Sequence, residues 1–351
     1  GWQGAGGMSE PGATWRAALP TLLVGAAGAG LFWLVGFPAA VLTGPAAAVS
    51  LVTLAGMRTA VPDLLRDAVF LVIGIQIGST ITPELLATAL AWPVSLAILS
   101  ATLLLVLLVA KALLMRGFGY GEMTATLAAT PGHLSYILGV SSDLAADVPR
   151  VALVQSIRVL MLTLLVPVLI ALWGVEGTAR LADRGILPFG ALLVIVPLAL
   201  GLGLFFKRRA VPAPLLLAAM AVSGLGHGAD LTPGAMPGWL TVAAFVCMGA
   251  LIGTRFSGLD RRGLFGALLA GVVTTLVACA VAAAGAWVAA ALIGLPAAVL
   301  LLAFAPGGVE VMAAMAIETG LEPAFVAAHH VFRLVLLTVL VPVMLAWVRR
   351  A

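Results

Sequence analysis

Residues 126–140 read TLAATPGHLSYILGV, and residues 301–315 read LLAFAPGGVEVMAAM. Each stretch has a Pro-Gly pair in the middle, with an arm of about ten residues on either side that would extend about 15 Å as a helix, half the thickness of a bilayer core. Proline lacks the N–H that a helix interior needs, and glycine adopts backbone angles outside the helical range, so Pro-Gly ends one helix and opens another. Each stretch therefore predicts a re-entrant hairpin or a spanning helix that is broken at mid-depth.

The composition of the whole chain indicates that these arms lie in a membrane. Of the 351 residues, 63% are hydrophobic and 9% are charged, and the mean hydropathy is +1.20, whereas roughly a quarter of the residues of a soluble domain are charged. Apolar runs of about 20 residues recur, which is the length of a spanning helix and not the alternating pattern of a barrel strand. We therefore predict an all-α polytopic membrane protein. The 18 Lys and Arg are spread over short loops, which argues against a nucleic-acid surface.

The chain repeats itself at a constant shift of 175 residues. This shift places Pro131 on Pro306 and Arg158 on Arg333, and 14 of the 47 positions from 127–173 are identical to those in 302–348. Apolar composition alone would match Leu, Ala and Val but not the Pro-Gly pair and the Arg. We predict a first repeat over 14–175 and a second over 184–351, which align at this shift without a gap, and a tag remnant over residues 1–7.

The distribution of basic residues predicts how the two repeats are oriented. Each repeat has six apolar segments, and short cytoplasmic loops retain Lys and Arg. If all six cross, nine basic residues lie inside and seven outside; if the Pro-Gly segment enters and leaves by one face, fourteen lie inside and only Arg180 and Arg184 outside. We therefore predict two inverted repeats, each of five transmembrane helices plus one re-entrant hairpin or broken helix. Both termini would be cytoplasmic, in a bacterial inner membrane.

The two Pro-Gly breaks are the first part of a candidate site. The second arm begins at each break with free N–H groups and a partial positive charge, which suit an anion. Nearby polar side chains could contact a solute or simply bond neighbouring carbonyls. The candidates at the breaks are Pro131, Gly132, His133, Ser135 and Tyr136 in the first repeat, and Pro306, Gly307, Gly308 and Glu310 in the second.

The sixth segment of each repeat supplies the second part. Arg158 and Arg333 lie too deep to reach an interface, and an unpaired Arg there costs at least ~2.5 kcal/mol. Gln155 and His330 each precede the Arg by three residues and so share its face. Each guanidinium could clamp the free carbonyls that end the first arm, hold a solute carboxylate, or do both. Glu310 would be either a coupling site for a cation or a counter-ion of one of these two Arg.

Other polar and small residues have simpler interpretations. Gly74 and Gly78, with Gly249 and Gly253, have the small-xxx-small spacing that lets helices approach closely. Gln76, between the first two, is a further candidate for the site. The acids at the hairpin bases, Glu318 among them, are expected in solvated loops. Three histidines, His133, His329 and His330, form the one plausible metal trio, but they converge poorly, so no metal or other cofactor is expected.

The tracts ATPGHLSYILGV (129–140), APGGVEVMAAMAIETG (305–320), VALVQSIRVLMLTLLVPV (151–168) and VAAHHVFRLVLLTVLVPV (326–343) resemble the duplicated AbrB-type membrane protein family. The family's Pro-Gly-Gly-x-Glu and later Arg are complete in the second repeat, at Pro306, Gly307, Gly308, Glu310 and Arg333, whereas His133 and Ser135 replace Gly308 and Glu310 in the first. The resemblance implies inverted repeats with a scaffold and a moving core, distantly similar to cation-proton antiporters and anion transporters. Genome labels for such proteins include ammonia monooxygenase and regulator.

These observations together favour a secondary active transporter over an enzyme. It would bind a small anionic or zwitterionic solute between the two breaks and expose it by alternating access, with an elevator-like movement coupled to H⁺ or Na⁺. A membrane sensor or regulatory protein without flux is an alternative, and so is a channel. A monooxygenase is disfavoured because it needs several metal ligands. The expected partners are the solute, a coupling cation and the bilayer, a homo-oligomer is compatible, and nucleic acid is not expected.

Overall fold

The computed structural model describes residues 11–82, 92–131, 134–144, 146–172, 185–258 and 264–348. These ranges contain fourteen helices and no named strand, and the isolated bridge joins Ile186 to Ala235. The predicted tag remnant lies outside them. The helices are α1 (Pro11–Leu34), α2 (Ala40–Leu54), α3 (Asp63–Gly78), α4 (Trp92–Phe118), α5 (Glu122–Ala129), α6 (Leu134–Asp143), α7 (Val148–Leu172), α8 (Phe189–Arg208), α9 (Pro214–Gly228), α10 (Gly238–Thr254), α11 (Leu264–Ile293), α12 (Ala297–Phe304), α13 (Val309–Thr319) and α14 (Pro323–Val348).

The prediction of an all-α polytopic membrane protein is confirmed. Within the described ranges, six helices are long and apolar enough to cross a bilayer: α1, α4, α7, α8, α11 and α14. Their apolar stretches have 20 to 28 residues, and 20 residues of helix already extend about 30 Å. Three shorter apolar helices, α2, α9 and α10, have 15 to 17 residues.

The helix bounds recur at the predicted shift, with one correction. The starts of α3, α5, α6 and α7 recur 175 residues later in α10, α12, α13 and α14. For example, α5 and α12 begin at Glu122 and Ala297. The bounds of α2 recur in α9 at 174 residues instead. The prediction that no gap is needed is therefore wrong. The connection after α9 is one residue longer than the connection after α2, because a surface loop accommodates an extra residue more easily than a packed helix does.

Glycines join helices of one half to helices of the other. A Cβ at Gly74 in α3 would lie 2.5 Å from the Leu216 carbonyl oxygen of α9, and a Cβ at Gly249 in α10 would lie 2.4 Å from that of Leu42 in α2. Only glycine allows backbones to approach this closely, so the predicted packing role of these glycines is confirmed. The Gln76 side chain also serves packing, because its Oε1 accepts from Met236 N–H, 2.9 Å away.

The directions of the long helices are consistent with two oppositely oriented halves. The start of α4 lies at the start of α14, where Ser95 and His329 share a hydrogen bond of 2.7 Å and Trp92 packs edge-on against Phe325. The end of α4 lies near the start of α5, where Lys111 and Glu122 form an ion pair of 2.6 Å. The inverted arrangement itself stays a prediction.

Candidate functional site

The first Pro-Gly segment turns back on itself. Gln155 Nε2 donates to the Leu127 carbonyl at 3.1 Å, and Arg158 Nη2 donates to the Thr130 carbonyl at 3.0 Å. Both partners advance by three residues, so α7 runs parallel to α5. In addition, the N–H of Asp147, just before α7, donates to the Thr124 hydroxyl at the start of α5, 3.1 Å away. The chain after α6 has therefore returned to the end at which α5 began, which is the geometry of a hairpin.

The second Pro-Gly segment repeats this arrangement. His330 Nε2 donates to the Leu302 carbonyl at 2.9 Å, and Arg333 Nη1 donates to the Ala305 carbonyl at 2.5 Å. These partners again advance by three residues, so α14 runs parallel to α12. Because α13 lies between them in the chain, it must lead back toward the start of α12. We call the pair α5–α6 hairpin 1 and the pair α12–α13 hairpin 2.

The two arginines close the open end of the first arm in each hairpin. The last carbonyls of a helix have no partner within it. Arg158 Nη1 lies 3.3 Å from the carbonyl oxygens of both Ala128 and Ala129, and Arg333 Nη2 donates to the Gly307 carbonyl. The predicted clamp is confirmed in both halves. A hydrogen bond from a charged group contributes about 1.5–3 kcal/mol, so each clamp stabilises a break that would otherwise leave buried carbonyls unpaired.

Both arginines, and the neighbouring His330, also have buried polar atoms that are not hydrogen-bonded within the described residues. Arg158 and Arg333 are 5% and 2% exposed, and the Nε atom of each is buried and has no hydrogen-bond partner among the described residues. The Nδ1 atom of His330 is also buried without a partner in this part of the chain, as an acceptor, because Nε2 carries the ring proton that is donated to Leu302. Buried polar atoms are almost always paired, so three unpaired ones around two hairpin tips indicate a place where another molecule can bind.

The charges at the tips are predominantly positive. Arg158 is within electrostatic range of both Arg255 and Arg333, and Arg333 is within range of Glu310. The cluster therefore combines three guanidinium groups with one carboxylate. Because its members come from α7, α14, the turn after α10 and hairpin 2, both halves contribute to it.

The partner of Glu310 differs from the prediction. We expected Arg158 or Arg333, but Glu310 Oε1 lies 3.5 Å from Arg255 Nη2. Sequence reasoning missed Arg255 because it stands in a basic loop, and the equivalent position in the first half is Thr80. Gly308 leaves room for the Glu310 carboxylate, because a Cβ at Gly308 would lie 2.9 Å from Glu310 Oε1.

The structure describes some of the remaining predicted site residues and not others. Pro131, Pro306 and Gly307 are buried at the tips. Gly132 and His133 lie outside the described residues. Ser135 and Tyr136 lie in the first turn of α6, and their side chains lie outside the described part.

Glu318 corrects an expectation about the hairpin bases. We expected it in a solvated loop, but it lies in the last turn of α13, and its Oε1 accepts from Val41 N–H at 3.2 Å. Its Oε2 is buried and has no partner among the described residues. Glu322, four residues later, is exposed as predicted.

The histidines of α14 are engaged in local hydrogen bonds. His329 contacts Ser95 and the Phe325 carbonyl, the latter at 2.9 Å through Nδ1. Within the described ranges, no group of three or more His, Cys, Asp and Glu side chains is arranged to hold a metal ion.

Comparison with known proteins identifies the family. The family whose sequence profile matches residues 41–349 is described as "Transition state regulatory protein AbrB". A protein of Escherichia coli (strain K12), "Putative regulator AbrB", is 28% identical over 311 residues, 86% of this chain and 88% of that protein. "Uncharacterized protein YhjN" of Bacillus subtilis (strain 168) is 26% identical over 289 residues, 78% of this chain and 75% of that protein. No solved structure matches the chain significantly. Because the profile covers most of its length, the chain belongs to the AbrB family.

Proposed function

We propose that this protein is a secondary transporter that binds a small anionic or zwitterionic solute between the two hairpin tips. The observation that carries the proposal is the pair of buried guanidinium clamps, with the Nε donors of Arg158 and Arg333 still unpaired. Charged groups in a membrane are costly and generally mark a solute pathway or a structural ion pair. Here three guanidinium groups face one carboxylate, so the surplus of positive charge favours an anion.

The arrangement of the helices supports alternating access over a fixed pore. The α2–α10 and α3–α9 pairs are held together by backbone contacts at Gly249 and Gly74, which suits a rigid scaffold. The hairpins and the helices that clamp them, α7 and α14, would form the moving core in an elevator-like cycle driven by H⁺ or Na⁺. The protein would lie in a bacterial inner membrane with both termini in the cytoplasm, as the charge distribution predicts.

A screen of stability followed by a flux measurement tests the proposal. Purified protein is scanned for thermal unfolding with organic acids, amino acids and inorganic anions, because a ligand of the native state raises Tm. The solute that raises Tm is then supplied to proteoliposomes. We expect saturable uptake that falls about tenfold or more in Arg158→Lys and Arg333→Lys, since the loss of about 1.4 kcal/mol of binding free energy is a factor of ten.

The matched control is Arg116→Lys, because Arg116 is exposed at the end of α4. Its uptake should equal that of the wild type. Unchanged uptake in both clamp variants would remove the proposed site.

A regulatory membrane protein without flux is a second candidate, and the name of the Escherichia coli relative, "Putative regulator AbrB", favours it. Such a protein would bind its ligand at the same tips and change conformation without moving it across the membrane. A solute that raises Tm in a manner dependent on Arg333 but is never accumulated in proteoliposomes would support this candidate over transport.

A further inference from the structure

The second arm of hairpin 2 is attached at both ends to other elements. At its tip end, Glu310 pairs with Arg255, which follows the last residue of α10. At its base end, Glu318 accepts a hydrogen bond from Val41 N–H in the first turn of α2. Both contacts are made by carboxylates of α13, and both partners belong to elements that the proposed function assigns to the scaffold.

The two partners belong to one packed unit. α2 and α10 lie against each other, since a Cβ at Gly249 would meet the Leu42 carbonyl and a Cβ at Gly253 would meet Val49. Both contacts advance in the same direction, so α2 and α10 are parallel, with Val41 at one end of the contact and Arg255 beyond the other. Eight residues of helix separate Glu310 from Glu318, about 12 Å, which matches the stretch of α2 between these ends. α13 therefore runs antiparallel to the α2–α10 unit and is fastened to it twice.

The base contact lacks the partners that would keep a carboxylate charged. The N-cap residue of α2, Ala39, provides no side-chain hydrogen bond, so Glu318 caps this helix from 277 residues away. One oxygen receives the Val41 N–H, while the other is buried without a partner in the described part. A neutral carboxyl group would place its proton on that second oxygen and need no counter-ion.

No described cation faces Glu318. α2 has no titratable side chain. On α14, His329 and His330 are bonded to Ser95 and the Leu302 carbonyl, and Arg333 is bonded to hairpin 2. α3 and α7 also pack against α13, and their basic side chains are engaged elsewhere: Arg66 pairs with Asp63 and Asp67, Arg158 is bonded to hairpin 1, and Arg150 pairs with Asp147. Glu318 lies outside the helices that span the membrane; burial raises the pKa of its carboxyl to about 7, and the hydrogen bond from Val41 opposes this rise.

We propose that Glu318 is the proton-binding site that couples a proton to the movement of hairpin 2. The inference rests on the proposed function, and it assigns coupling to Glu318 instead of Glu310, whose carboxylate is occupied by Arg255. With a proton on the free oxygen, the neutral carboxyl is stable in its buried place at the N-terminus of α2, whereas loss of the proton leaves a buried charge without a counter-ion and favours release of Glu318 from that place. At the tip, the anionic solute competes with Glu310 for Arg255. Only when both contacts are released does α13 detach from the α2–α10 unit, so binding of the anion is coupled to loss of the proton.

A stability measurement tests proton binding without any transport. The variants are Glu318→Gln, which resembles the neutral acid at every pH, and Glu322→Gln as the matched control at an exposed glutamate. Burial raises the pKa of the Glu318 carboxyl above its ordinary value of 4.5, so proton binding stabilises the folded wild type. This stabilisation is present in full below about pH 4.5 and is lost as the pH rises through 7. We expect the Tm of Glu318→Gln to exceed that of the wild type by about 2–4 °C more at pH 8 than at pH 5. A difference that is the same at both pH values overturns the proposal.

A flux measurement then tests coupling. In proteoliposomes, an outwardly directed proton gradient should stimulate wild-type and Glu322→Gln uptake several-fold, whereas uptake by Glu318→Gln should be slow and should not respond to the gradient. Stimulation that persists in Glu318→Gln overturns the assignment. If the Tm difference between Glu318→Gln and the wild type depends on pH but the wild type moves no solute, the transporter proposal fails while the proton site stands. Glu318→Asp, which keeps the acid, should retain the pH dependence and controls for misfolding of the Gln variant.

Discussion

A guanidinium at the middle of a membrane needs partners for its donors, and Arg333 finds two of them in the backbone of hairpin 2. Its two Nη atoms bind the carbonyls of Ala305 and Gly307, which the Pro-Gly break leaves without helical partners. The break and the charge therefore stabilise each other. Removing either one leaves the other buried and unpaired.

This pairing predicts the effect of truncation. Arg333→Ala should lower the free energy of unfolding by on the order of 3 kcal/mol, because the buried Gly307 carbonyl loses its donor and the Ala305 carbonyl keeps only the Gly307 N–H. Arg333→Lys, which can reach one carbonyl, should fall in between. The measurement is thermal unfolding in detergent, with Arg116→Ala as an exposed control that should stay within about 0.5 kcal/mol of the wild type. Equal stability of Arg333→Ala and the wild type would show that the clamp contributes nothing.

A second prediction concerns Gly308. Its φ of −76° is available to any residue, so the reason for glycine is space and not backbone angle. An alanine Cβ would lie 2.9–3.0 Å from the Glu310 carboxylate atoms, which must then move away from Arg255. We expect Gly308→Ala and Glu310→Gln to raise solute affinity by similar factors, because each frees Arg255 from its competitor, and the double variant to bind no more tightly than either one, as coupled sites require.

The control for this cycle is Gly30→Ala in α1, where nothing lies within 4 Å of an added Cβ. Its solute affinity should equal that of the wild type. Fully additive effects of Gly308→Ala and Glu310→Gln would show that the glycine does not act through the carboxylate.

At the scale of elements, the sequence predicts what is repeated at short range and misses what is made once at long range. The hairpins and clamps were predictable because Gln155 and Arg158 recur as His330 and Arg333 with the same spacing. The Arg255–Glu310 pair exists in one half only, and the Glu318–Val41 contact joins residues of different halves. No local spacing encodes either contact, because both depend on where the fold brings α13 relative to the start of α2 and the end of α10.

That packing predicts the consequence of enlarging one residue. Gly249→Ala would place a Cβ 2.4 Å from the Leu42 carbonyl oxygen, and backbone cannot yield as a flexible side chain can. We expect α2 and α10 to separate, with a loss of stability of about 1–3 kcal/mol, as overpacking typically causes. Gly201→Ala in α8, where an added Cβ meets nothing within 4 Å, is the matched control. If the two variants unfold at the same temperature in detergent, this account is contradicted.

For the whole molecule, the orientation of the two halves decides whether the two hairpins enter from opposite sides of the membrane. If five helices of the first half cross and the N-terminus is cytoplasmic, α8 ends inside and α9 ends outside. If hairpin 1 were a sixth crossing, these two ends would exchange sides. The hydrogen bond between Asp147 N–H and Thr124 favours the first topology, because it places the start of α7 beside the start of α5.

Labelling of single cysteines distinguishes these topologies. Lys207 and Asp230 are both exposed and lie at opposite ends of the α8–α9 pair. In a background where Cys247 and Cys279 are replaced by serine, we expect Asp230→Cys to react with a membrane-impermeant maleimide added to intact cells. Lys207→Cys should react only after the membrane is permeabilised, because the basic run at 207–209 is retained in the cytoplasm. The reverse pattern would mean that both halves face the same way, and the two hairpins could then not meet as inverted partners around one solute.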